Sequence, residues 1–188
     1  RAVSAGVDTI LTCDNGIAAR KEIAYAKELG MTVIVTDHHE VPYEDEQKQE
    51  EKDQTAEMNY KGKRKYILPL ADAVIDPKQP DCNYPYEGIC GATVAYKLME
   101  ALYEVTGHDV DDIDYLIENV AMATIGDVMD LEDENRIFVR EGLEMLKRTA
   151  NPGMRSLMEC NGIEKERLNS YHIGFVIGPC LNAGGRLD

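Results

Sequence analysis

Residues 31 to 42 read MTVIVTDHHEVP, an apolar run that stops at an acid and two adjacent imidazoles, Asp37, His38 and His39. Carboxylates and imidazoles are the side chains that hold divalent cations and move protons near neutral pH. Met31, Val33, Ile34 and Val35 have the β-branched character of a strand buried in a parallel sheet, and open α/β sheets place their ligands at the carboxyl ends of such strands. Two further acids stand at comparable places: Asp14 after the apolar VDTILTC, and Asp127 in ATIGDVMDL. Neighbouring parallel strands lie about 4.8 Å apart, so side chains at their tips can converge on one ion.

Each acid also has an ordinary explanation. Asp14, in CDNG, fits an Asx turn, and Asp127 fits a helix cap. Two imidazoles beside a carboxylate at a strand tip have no routine packing role, and together the positions favour a metal. A donor set of carboxylate and imidazole without thiolate favours Mn²⁺ or Mg²⁺, with Zn²⁺ and Co²⁺ as alternatives. Adjacent residues in extended backbone point to opposite sides. One of His38 and His39 is therefore expected to ligate while the other faces substrate or supports the ligands from behind.

The elements that would position these groups follow from local pattern. Residues 7 to 13 read as a strand, DNG at 14 to 16 as a turn, 17 to 29 as an amphipathic helix stopped at Gly30, and 31 to 36 as a second, parallel strand. ADAVIDP at 71 to 77 reads as another buried strand ended by Pro77. From Ile89 the pattern is helical, over about 91 to 105, 112 to 124, 132 to 149 and 152 to 160. Asn151 and Pro152 form a recognisable start for the last of these. The expected fold class is α/β, a parallel sheet with flanking helices followed by a mainly helical second half. No internal repeat or composition break marks a second domain.

Residues 43 to 66 are expected to be a flexible charged insertion, because EDEQKQEEKDQTAEM and then KGKRK offer little apolar surface to bury. A solvated excursion is the favoured reading of the basic run, and contact with nucleic acid the lesser one.

The chain has 188 residues, 44% of them hydrophobic, and a formal net charge of −15. Such a charge opposes long-range attraction to nucleic acid, so polyanion binding would have to be local or helped by bound cations. Five cysteines, Cys13, Cys82, Cys90, Cys160 and Cys180, without a CxxC pair, point to a reduced, cytoplasmic protein and read as small buried hydrophobes. No apolar run approaches a membrane span, and no secretory pattern opens the sequence. His108 and His172 read as structural or surface residues. GPCLNAGGR at 178 to 186 has the makeup of a loop that approaches a ligand closely, with Arg186 able to fork onto a phosphate and an ordinary helix-terminating turn as the favoured alternative.

Together TCDNGI (12 to 17), VTDHHE (35 to 40), DAVIDPKQPDCNYPY (72 to 86), CGATVAYKL (90 to 98), ATIGDVMDL (123 to 131) and GPCLNAGGRLD (178 to 188) resemble the DHH phosphoesterase superfamily, and within it the bacterial RecJ single-strand exonucleases. The resemblance implies a two-metal hydrolase using Mn²⁺ or Mg²⁺ to remove nucleotides in the 5′ to 3′ direction from single-stranded DNA in recombination and repair. Helicase or single-strand-binding protein are its candidate partners. It assigns Asp14, His38 and Asp127 to the metals, His39 to the scissile phosphate or its departing oxygen, Asp37 to support of the histidines, and Asn182 and Arg186 to substrate.

On this likeness the sequence is expected to be the middle of the enzyme and inactive alone. The family's first Asp-x-Asp motif would lie upstream and a nucleic-acid-binding domain downstream. Cys180 stands where many relatives carry a basic residue. The rival readings are a DHH hydrolase of short RNA, cyclic dinucleotides or pyrophosphate, and a noncatalytic scaffold that kept the fold.

Overall fold

The computed structural model describes residues 1–45, 56–61 and 64–184. The chain divides into two compact units, Arg1–Glu87 and Gly88–Asp188, although its composition shows no break between them. The first has a sheet core and the second a helical core.

In the first unit, β1 (Thr9–Leu11), α1 (Arg20–Glu28) and β2 (Thr32–Thr36) form the expected strand-helix-strand opening. Here β1 pairs in parallel with β2, Thr9 opposite Thr32, and β2 pairs in parallel with β6 (Ala73–Ile75), Thr36 opposite Ile75. The sheet order is β1-β2-β6. Ile23 and Ala26 of α1 pack with Met31, Val33 and Val35 in a buried cluster. Burial of β2 is what makes its sequence a nearly unbroken apolar run.

The segment from 43 to 66, expected to be a flexible excursion, holds strands where it is described. β3 (Tyr43–Asp45), β5 (Arg64–Pro69) and β4 (Ala56–Lys61) form an antiparallel sheet in the order β3-β5-β4. The expectation averaged the composition and so missed its apolar flank. Leu68 is buried with Ile17 and Val41, and Tyr66 packs against them. The rest of that stretch, 46 to 55 and 62 to 63, lies outside the described residues.

The second unit contains α2 (Gly91–Thr106), α3 (Ile117–Gly126), α4 (Asp133–Leu146) and α5 (Pro152–Cys160). Tyr96, Ile113 and Val120 form one buried cluster, and Leu146, Met154, Met158, Leu168, Ile173 and Ile177 another. The side chain of Asn151 caps α5, accepting from the N–H groups of Gly153 at 2.9 Å and Met154 at 3.3 Å, with Pro152 in the first turn. The segment expected to be a glycine loop differs. After a short helix α6 (Ser170–His172), a π-helical turn at Ile173–Ile177 continues into helix α7 (Gly178–Gly184).

At Gly142 the backbones of α3 and α4 approach closely. A Cβ there would press on the Ala121 methyl and lie 2.6 Å from the Ile117 carbonyl oxygen. Gly142→Ala is expected to destabilise the protein by about 1–3 kcal/mol through overpacking, despite the better helix propensity of alanine, as read by denaturant unfolding.

Candidate metal centre

β1 and β2 end side by side, and their ends are clipped together. Thr36 Oγ1 donates to the Thr12 carbonyl at 2.6 Å, and the Thr36 N–H donates to Thr12 Oγ1 at 3.2 Å. Beyond β1 the chain turns sharply. Asp14 adopts φ 60°, and Gly16 adopts φ 121°, where a Cβ would sit 2.9 Å from Val35 and 3.0 Å from Thr12 Oγ1. Only glycine fits there, and the turn aims Asp14 back toward the tip of β2.

The Asp14 carboxylate meets both imidazoles. Its Oδ1 lies 3.0 Å from His38 Nε2 and 3.9 Å from His39 Nδ1. One donor atom from each of Asp14, His38 and His39 fits within 4.8 Å of the others. The two rings lie 4.6 Å apart, centroid to centroid. They therefore converge, whereas the alternation of extended backbone would have separated them. The reason is that β2 stops at Thr36, so period-two alternation no longer applies at residues 38 and 39.

Asp37 is 1% exposed and serves as the hub beneath the two rings. Its Oδ2 accepts from the Ile17 N–H at 2.9 Å. Its Oδ1 accepts from the His38 N–H at 2.8 Å, the His39 N–H at 3.3 Å and His39 Nδ1 at 2.7 Å. Burial alone would raise its pKa, but these hydrogen bonds outweigh it and hold the carboxyl below its ordinary value. An ionised carboxylate only accepts, so the proton of His39 sits on Nδ1 and Nε2 carries the lone pair. Likewise the 3.0 Å approach of Asp14 to His38 requires a positive centre between carboxylate oxygen and imidazole nitrogen, a proton or a cation. The donor set thus fits a divalent ion.

Asp76, at the tip of β6, is a site neighbour that the sequence reading did not single out. It is 2% exposed, and its Oδ1 accepts from the Lys78 N–H at 2.8 Å, while Oδ2 has no hydrogen-bond partner among the described residues. Burial, reinforced by the negative charges of Asp37 and Glu40, pushes its pKa up to about 7 against the pull of the Lys78 N–H. A short apolar strand ending in Asp was the available signal, the same signal that marked Asp37.

The other expected site residues lie in the second unit or beyond the described residues. Asp127 is the C-cap of α3, its N–H bonded to the carbonyls of Ala123 and Ile125. Asn182 is exposed on α7. Arg186 lies outside the described residues. Of the cysteines, Cys90 is buried, but Cys13, Cys82, Cys160 and Cys180 are exposed, contrary to their reading as core residues. Cys13 and Cys82 lie outside the helices and strands, and Cys160 and Cys180 lie on α5 and α7.

Residues 3–125 match the DHH family, N-terminal domain. The chain belongs to the DHH family. It is 38% identical over 183 residues to the single-stranded-DNA-specific exonuclease RecJ of Bacillus subtilis (strain 168), covering 97% of this chain and 20% of that protein. It is 32% identical over 193 residues to the protein of the same name from Escherichia coli (strain K12), covering 97% and 30%. The chain thus spans 20% to 30% of the length of these DHH relatives.

Among solved structures, RecJ from Thermus thermophilus in complex with Mn²⁺ superposes with a TM-score of 0.70 at 29% identity, over 99% of this chain and 24% of that one. Exonuclease RecJ bound to manganese superposes with a TM-score of 0.71 at 30% identity, over 99% and 41%. The parallel sheet with flanking helices is therefore the fold of this DHH chain. Among the described residues, no helix is long and apolar enough to cross a membrane.

The two buried strand-tip acids have opposite linkage. Asp37, with a lowered pKa, contributes stability that is present above the unfolded pKa near 3.8 and lost as pH falls through its folded value. Asp76, with a raised pKa, makes stability fall as pH rises from about 4 to its folded value of about 7. Asp76→Asn is expected to remove that second slope and raise stability above pH 7 by about 1–4 kcal/mol, measured by urea unfolding across pH in the presence of EDTA.

Proposed function

We propose that this chain forms the metal-binding part of a nuclease that hydrolyses phosphodiester bonds of single-stranded DNA with Mn²⁺ or Mg²⁺. The observation that carries this reading is the convergence of Asp14, His38 and His39 within 4.8 Å at two strand tips. The names of its relatives, single-stranded-DNA-specific exonucleases, and the Mn²⁺ in similar structures support the substrate and the ion.

When bound, divalent cations supply Lewis acidity that neutralises the phosphodiester charge and makes water acidic enough to attack near neutral pH. Asp14 and His38 would hold them, with Asp127 proposed as a further ligand on the likeness to RecJ. Asp37 keeps the His39 proton on Nδ1 and fixes the ring, so His39 Nε2 can take a proton from water and, once protonated, give it to the departing oxygen. Asn182 and Arg186 are proposed to contact substrate. Digestion from the 5′ end, a role in recombination and repair, and helicase or single-strand-binding partners belong to the same proposal, supported by likeness to RecJ.

The test uses the full-length protein. Degradation of a single-stranded oligonucleotide with Mn²⁺ is expected, and EDTA should abolish it. Asp37→Asn is expected to cut Mn²⁺ affinity or activity by about 10- to 100-fold, since it removes the negative charge beneath the histidines and turns one of the two accepting oxygens into a donor that faces an N–H. Calorimetry that finds no Mn²⁺ binding would leave the scaffold reading in place. Degradation confined to short RNA or cyclic dinucleotides would move the assignment within the superfamily.

A further inference from the structure

The connection that follows α3 holds a backbone outlier next to Asp127. The helix ends in a paired closure: the Val128 N–H donates to the Ile125 carbonyl at 3.1 Å, and the Met129 N–H donates to the Thr124 carbonyl at 3.1 Å. A helix end of this form needs a left-handed residue just past its cap, and glycine usually fills that place because a Cβ is crowded there. Here the residue is Val128, at φ 56°. For a β-branched side chain the left-handed region is a genuine outlier, held only at a cost in stability. Packing does not offset this strain, since Val128 is 86% exposed.

The same connection is clamped from α4. Asn135 is 0% exposed, and its Nδ2 donates to the carbonyls of Asp130 at 2.9 Å and Gly88 at 2.7 Å. Asp133 at the start of α4 also stands at φ 44°, although Asp tolerates this region better than Val does. The loop from 127 to 133 is thus fixed at one end by the closure of α3 and further on by a buried amide. Backbone strain persists where the surroundings over-determine it in this way.

The residue type at 128 shows what the strain can do. Glycine would adopt φ 56° freely and leave it as freely, because it populates several backbone regions about equally. Valine has one narrow left-handed basin, and leaving it breaks both closing hydrogen bonds. While the clamp holds, valine therefore allows the chain at 127 and 128 less freedom than glycine would. Asp127, the C-cap inside that closure, is the residue held still.

We propose that Val128 is a positioning residue: its left-handed backbone, fixed by the closure of α3 and by Asn135, pre-orders Asp127 for a divalent cation. This assignment rests on the nuclease reading above, in which Asp127 is a ligand, and adds the residue that sets how firmly that ligand is held.

The test measures two quantities on the full-length protein, Mn²⁺ affinity by calorimetry and the urea unfolding midpoint in EDTA. Val128→Gly is expected to weaken Mn²⁺ binding about three- to tenfold, because it frees the loop. It should also raise the midpoint, because strain relief at a β-branched residue exceeds the added freedom of the unfolded chain. Val128→Ile, which keeps the branch, should match wild type in both, and Asp127→Asn should weaken Mn²⁺ binding. An affinity loss with the midpoint raised or unchanged supports positioning, since a merely structural role lowers both together.

Unchanged or tighter Mn²⁺ binding in Val128→Gly would overturn the proposal. So would a parallel fall of affinity and midpoint, or wild-type Mn²⁺ affinity in Asp127→Asn. Any of these results, in a protein whose wild type binds Mn²⁺ and degrades single-stranded DNA, sinks this inference alone. A wild type that binds no Mn²⁺ sinks the nuclease reading instead.

Discussion

The Asp37 carboxylate is the constraint on which the site depends. A buried anion is costly unless its lone pairs are filled, and here four N–H donors fill them. Two of these donors belong to the backbone of His38 and His39, one to the His39 ring, and one to Ile17 on the neighbouring turn. The same oxygen atoms thus satisfy the end of β2, select a tautomer and tie the Asp14 turn to the histidines. A single desolvated charge converts two loops that follow separate strands into one rigid cluster.

Rigidity of this kind has a second source in the backbone. Gly16 lets the turn after β1 pass against Val35, and the Thr12–Thr36 pair closes the gap between the strand ends. The donor atoms are then held by elements rather than by mobile side chains, which is what metal binding and proton placement require. Beside them, Asp76 is pushed in the opposite direction from Asp37 because it receives one backbone donor and little else. The pKa values of two carboxylates on adjacent strand tips are therefore moved in opposite directions, down by hydrogen bonds at Asp37 and up by burial and neighbouring acids at Asp76.

The three-stranded antiparallel sheet extends the same logic outward. Its inner residues are apolar and pack beside Ile17, whereas its outer end carries tyrosine and arginine.

Much of this was legible in the residues. The apolar run ending in Asp-His-His, the Asn151-Pro152 helix start and the strand-helix-strand opening are local patterns, and local patterns follow from propensity and period. The sequence determined which side chains stand at the strand tips and hence which chemistry is available. It did not determine that both imidazoles face Asp14, that 43 to 45 and 64 to 69 pair as strands, that four of the cysteines are exposed, or that Gly178–Gly184 is helical. Those outcomes hang on where β2 stops and on which distant residue supplies a hydrogen bond or an apolar contact. Only tertiary structure decided them, because burial and pairing between residues far apart along the chain are not encoded in any local window.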